Sequence, residues 1–318
     1  MKSFLNLRNI EWACHHLHID KAYTANKTNL IQSLTHMKEK WELMRDIKKE
    51  YSNPDLFYRM NYAIHKLYNQ NCRYMRTFID VDHIVDTNAL DIAKHLQILW
   101  KEKGVLLQIG VQPLEGLDTA EKILQYEKAC EKADFIGCLP SRDTSQEHHL
   151  SVVFDIALKH NKDIEAHLDQ CNIPSERETE LFCKYYERYR DTHQYTGKAR
   201  AIHSISLASQ PLDYQEYMAD YLSNLNVGVI ICPSAALSMT QHTEYTSPIH
   251  NSIAPLSVLL KHNVKVGLGV DNIQDIFMPF CDGNLEFELR LLAESTRTYD
   301  PSQLETIAIN KMGFYDFC

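Results

Sequence analysis

Eight short β-branched or apolar runs punctuate the chain, and stretches with helical periodicity separate them. The runs are IEWACHHLH (10–18), RYMRTFIDV (73–81), VLLQIGV (105–111), DFIGCL (134–139), DIEAHL (163–168), RAIHS (200–204), VGVIIC (227–232) and VKVGLGV (264–270). Clear helical spacing falls at 87–103 and 119–133, and the gap from 25 to 70 has room for two helices. Eight strand–helix units predict an α/β protein of the (β/α)8 TIM-barrel type. The length of 318 residues suits one such barrel of roughly 250 residues or more. A doubly wound open sheet is the rival, and it normally brings a glycine-rich phosphate turn after its first strand. With only 10 glycines, and neither GxGxxG nor GxxxxGK[ST], the chain disfavours it. No boundary for a second domain is visible, so residues 1–318 are read as one barrel domain.

Composition narrows the functional classes. A formal charge of −9, from 42 acids against 33 bases, argues against a nucleic-acid surface. No run approaches the roughly 20 apolar residues that span a bilayer. The nine cysteines are scattered without CxxC spacing, and the N-terminus is too short and polar for a secretory signal. A soluble, cytoplasmic protein with reduced thiols is expected.

In a barrel of this type, chemistry sits at the C-terminal strand ends. His16 and His18 end the first run, and period-two alternation turns both toward the barrel mouth, with His15 and Leu17 facing the other way. His167 ends the fifth run, His203 the sixth and Asp271 the eighth. Singly, each has a bland reading as a hydrogen-bonded strand end or a helix cap. Jointly they offer imidazole nitrogens and one carboxylate on four strands, a donor set that suits one Zn or Fe ion. His83, His148 and His149 read instead as solvated loop or helix-start residues.

The ordered motifs HHLHIDK (15–21), MRTFIDVD (75–82), LLQIGVQPLEGL (106–117), SRD (141–143), IEAHLDQ (164–170), AIHSISLA (201–208), ICPSAALSM (231–239), IHNSIAPL (249–256) and VGLGVDNIQDIFMPF (266–280) resemble the amidohydrolase superfamily. Within it, the likeness is to the cytosine deaminase and N-isopropylammelide amidohydrolase branch. The resemblance implies His16, His18, His167 and Asp271 as ligands of one divalent metal ion. It implies His203 as a contact to the attacking water or substrate, and Asp271 also as that water's proton acceptor. Phe277 matches an aromatic that covers the substrate ring, and His250 ends, with Asn251 next to it, a polar 234–250 stretch expected to overhang the mouth. Lys21 is expected in a structural ion pair, and strand four lacks the lysine that bridges two metals.

Three departures qualify the likeness. Gln170 stands where the branch has an acid–base Glu, and an amide cannot carry that proton. Leu114 stands where the branch has a cytosine-reading Gln, and Asn272 where it has a second Asp. The small β-sandwich of the family is expected to be absent, which leaves room for a homo-oligomer to cover the flank.

These readings converge on a metal-dependent hydrolase, deaminase-like, that cleaves a C–N bond other than a peptide in a small cyclic amidine, amide or amine. The catalytic set is Asp271, His203 and Gln170, and the substrate contacts are Leu114, Asn272, Phe277 and Gln170. The expected partner is a small molecule such as a nitrogen heterocycle, with no nucleic acid and no membrane. The weaker alternative is an impaired paralogue that uses the barrel for binding or structure, because Gln170 replaces the Glu.

Overall fold

The computed structural model describes residues 7, 10–35, 37–239 and 253–313. Its eight strands are β1 Trp12–Leu17, β2 Cys72–Asp80, β3 Leu106–Gln112, β4 Phe135–Cys138, β5 Ile164–Leu168, β6 Ala199–His203, β7 Gly228–Ile231 and β8 Val266–Leu268. They pair in parallel in chain order. A bridge between Leu17 and Asp271, with His18 N–H donating to the Asp271 carbonyl, joins the last strand to the first. The result is a (β/α)8 barrel, as the eight runs predict.

Helix spacing translates as expected where it is strong. The 87–103 stretch forms α4 Asn88–Lys101, and the 119–133 stretch forms α5 Ala120–Lys132, whose first turn is capped by the Thr119 hydroxyl. The 25–70 gap holds three helices rather than two: α1 Lys27–Gln32, α2 Met37–Lys49 and α3 Asn53–Tyr68. Trp41 and Met44 of α2 pack with Leu114, Leu139 and Ile276, so this helix lies over the barrel mouth. Lys48 pins it there with bonds of 2.7 Å to Asp80 and 2.6 Å to Asp82.

The barrel interior is layered by period two. On β2, Arg76, Phe78 and Asp80 follow one another inward. Arg76 meets Glu165 at 2.8 Å, and Arg200 meets the same carboxylate at 3.0 Å, forming an ionic floor. Phe78, Phe135, Ile202, Ile230 and Cys232 make the apolar layer above it. Residues 310–313 close the floor from below: Arg76 donates to the Gly313 carbonyl at 2.7 Å, and His15 pairs with the Asn310 carbonyl at 2.6 Å.

That contact corrects the expected orientation of His15. Strand β1 has an extra residue between Cys14, which pairs with Met75, and Leu17, which pairs with Thr77. A Cβ on Gly267 would strike the His15 ring, and one on Gly269 would strike His16 Cβ, both near 2.7 Å. Gly267 on β8 and Gly269 just beyond it share one side of the chain, so His15 and His16 both face the interior. The two glycines are what let β8 approach β1 so closely.

Candidate active site

Four imidazoles and one carboxylate meet above the apolar layer. His16 is next to last on β1 with His18 just beyond it, His167 lies on β5, His203 closes β6, and Asp271 follows β8. Each is at most 6% exposed. One Asp271 oxygen lies 3.4 Å from His16 Nε2 and 3.3 Å from His18 Nε2, and its other oxygen lies 3.7 Å from His203 Nε2. His167 Nε2 lies 3.2 Å from His16 Nε2. The backbone strains to aim two of these groups, with φ of 71° at His203 and 61° at Asp271, values unusual outside glycine.

Burial pushes all four imidazoles toward the neutral form, His203 to about 4 and His167 well below its ordinary value. Burial raises the Asp271 carboxyl, but hydrogen bonds from His16 and His18 outweigh it and hold the group ionised. Among the described residues, the Nδ1 atoms of all four histidines lack a hydrogen-bond partner. Their Nε2 atoms crowd one another and a single carboxylate. Such a set cannot satisfy itself by internal hydrogen bonds, whereas a cation facing neutral imidazole lone pairs suits it. Ligand atoms within 4.8 Å of one another form the groups His16–His18–Asp271 and His16–His167–His203. A third group, His203–Cys232–Asp271, adds a thiol from the end of β7 that sequence spacing did not point to.

Lys21 stands beside the cluster as an ion-pair residue. Its ammonium lies 2.7 Å from Asp80 and 3.9 Å from Asp20, and Lys48 shares Asp80 from α2. Burial opposes ionisation of Asp80, yet the two ammonium groups hold its carboxyl well below the usual range. The network therefore locks the end of β2, the β1 loop and α2 together. His149 departs from its expected solvated place. It is fully buried, its Nδ1 lies 2.7 Å from Asp143, and its Nε2 accepts from Leu139 N–H at 3.0 Å, which orders the loop after β4. His83 is largely exposed beside Glu115, and His148 pairs with the Leu117 carbonyl.

His18, His167, His203 and Asp271 form the floor of a cavity of about 270 Å³, at the small end for a ligand site. Gln170, Leu114, Asn272 and Phe277, the expected substrate contacts, all line it. Asn272 donates to Asp275, so its amide is partly committed to the loop after β8. Sequence reading missed Gln112, and also Met37, Lys38, Lys40 and Trp41 of α2, which line the same cavity. Gln112 was accessible to period-two counting, because Gln108 and Gly110 precede it on the inward face of β3. The helix-borne residues carried no local signal. The start of the 234–250 stretch forms α9 Pro233–Leu237, while His250 and Asn251 lie outside the described residues.

The fold and site define a histidine- and aspartate-lined (β/α)8 barrel. No family profile matches the chain. A Haemophilus influenzae protein of uncharacterized function is 28% identical over 255 residues, covering 78% of this chain and 90% of that protein. A pterin deaminase of Rhizobium rhizogenes is 21% identical, covering 74% of this chain and 54% of its own. An N-isopropylammelide isopropyl amidohydrolase of Pseudomonas sp. strain ADP is 21% identical, covering 85% and 64%. The chain thus spans less than two thirds of both named enzymes. Among solved structures, a Klebsiella pneumoniae 5-methylcytosine deaminase liganded with phosphonocytosine superposes with a TM-score of 0.83 at 19% identity, covering 95% of this chain and 75% of its own. An N-isopropylammelide isopropylaminohydrolase of Burkholderia multivorans gives 0.71 at 16% identity, covering 94% and 71%. These likenesses show that the chain shares its (β/α)8 barrel fold with deaminase and amidohydrolase structures.

Proposed function

We propose that the protein is a metal-dependent hydrolase that cleaves a C–N bond, other than a peptide bond, in a small cyclic amidine, amide or amine. The observation that carries this reading is the convergence of His16, His18, His167 and His203 with Asp271, all but His16 lining the floor of one cavity. The deaminase and amidohydrolase activities named for the relatives support it. His16, His18, His167 and Asp271 would hold one Zn or Fe ion, which when bound supplies Lewis acidity and an activated water nucleophile.

The chain's own residues do the rest. Asp271, ionised and at the cavity floor, accepts the proton of the attacking water and returns it to the leaving nitrogen as the C–N bond breaks. His203, kept neutral by burial, donates a hydrogen bond to the oxygen that gains charge as the ring carbon becomes tetrahedral. Gln170 orients the ring by hydrogen bonds and moves no proton. Trp41, Phe277 and Met37 give the cavity apolar walls that suit a flat ring and exclude water.

Elemental mass spectrometry tests the metal half of this reading. Purified wild type should carry about one Zn or Fe per chain, as expected for a convergent set of three imidazoles and a carboxylate. A His16→Ala/His18→Ala double variant should carry almost none. Wild type without stoichiometric metal, even after reconstitution, overturns the hydrolase reading. Release of ammonia or amine from a panel of nitrogen heterocycles tests the chemical half.

A further inference from the structure

We infer that Gln112 is the specificity-determining residue that reads the substrate, accepting a hydrogen bond from an N–H of an uncharged planar ring. The inference rests on the hydrolase reading only in taking the cavity as the substrate site. Gln112 is the last residue of β3, held in register opposite Asp80. It occupies the third inward position of that strand. Gln108 below it bonds Arg76 on the barrel floor, and Gly110 faces the Phe135 ring. Gln112 therefore sits at mouth level, lining the same cavity as His167 and Asp271.

Its side chain is 3% exposed, and its Oε1 has no hydrogen-bond partner among the described residues. A buried amide oxygen without a partner is costly, and an opening toward a ligand site gives that cost a purpose. Leu114, two residues on, cannot replace it. Leu114 has no polar side-chain atom and packs with Trp41, Met44 and Leu139.

The neighbouring groups set the class of ligand. Lys21 is paired with Asp80, Asn272 donates to Asp275, and Lys40 donates to the Phe277 carbonyl at 3.3 Å. Among the described lining amides, Asn272 is partly committed to Asp275, which leaves Gln112 and Gln170 to meet a ring edge. Neutral amides reward N–H and C=O groups on an uncharged ring.

Isothermal titration calorimetry with two probes tests this. Uracil presents ring N–H donors, and 1,3-dimethyluracil has both blocked. Wild type should bind uracil at least about tenfold more tightly, the value of one hydrogen bond to a buried group. Gln112→Met, which keeps the length and removes the acceptor, should bring the two affinities to within about threefold. Gln112→Glu, which keeps an acceptor oxygen, should retain the preference for uracil, and it carries the test if the Met variant does not fold. The inference is overturned if wild type binds both rings equally or neither at millimolar concentration, or if the Met variant keeps the preference. Amine release by metal-loaded protein is measured separately. Its failure beside a Gln112-dependent preference would sink the hydrolase reading and leave this one standing.

Discussion

Gln170 and Asp271 lie on the same cavity and answer different questions. Asp271 is held ionised by its histidine neighbours and is fit to accept a proton. Gln170 is fit only to orient. A Gln170→Glu variant should raise amine release from deaminase-type heterocycles by roughly 10²- to 10⁴-fold if those substrates need a proton shuttle at that position. Steady-state kinetics on matched wild type and variant check it. An unchanged rate would mean that the natural substrate needs no proton delivered from that side. Residue identity at these two positions was legible in the sequence, because both follow strand ends that strong alternation locates. The orphaned oxygen of Gln112 was not, since it depends on what the other strands and a helix leave unpaired.

Among the elements, α2 makes the mouth. It brings Trp41 and Met37 to the cavity wall and is tied down by Lys48 and the Trp41–Leu114–Leu139 contact. Trp41→Ala should cost roughly 3 kcal/mol of packing, with faster amide exchange confined largely to residues 37–49 in hydrogen-exchange mass spectrometry. The start of α7 Glu178–His193 has a different sensitivity. Burial, with Asp169 and Glu176 nearby, raises the Glu178 carboxyl to about 8. A carboxyl raised on folding binds more protons in the native chain than in the unfolded chain. Its contribution to stability is therefore complete below the ordinary glutamate range and is lost as pH rises toward 8. Glu178→Gln should flatten the fall of the urea midpoint between pH 5 and pH 8, measured at both ends. A fall as steep as that of wild type would show that another group governs it.

At the scale of the whole molecule, the barrel is held from its floor as well as its walls. Glu165 lies wholly buried between Arg76 and Arg200. Glu165→Gln leaves two buried guanidinium groups undercompensated and should cost about 3–5 kcal/mol. Because that floor touches β2, β5 and β6 together, the loss should appear as an earlier but still cooperative denaturant transition, unlike the local loosening expected of Trp41→Ala. Two separated transitions would show that the floor is not coupled to the mouth.

The sequence by itself determined the eight strand–helix units, the barrel class and the order of His16, His18, His167, His203 and Asp271 along the strand ends. These follow from short-range periodicity and from the side-chain types at strand termini, which one chain segment carries on its own. Tertiary structure decided what α2 covers, why His15 turns inward with His16, why His149 is buried against Asp143, and which amides remain free to meet a ligand. Each of those outcomes is set by contacts between segments far apart in the chain. A β1 bulge accommodated by two glycines at the end of β8, or a helix locked over the mouth by carboxylates of the β2 region, leaves no periodic trace in either segment alone.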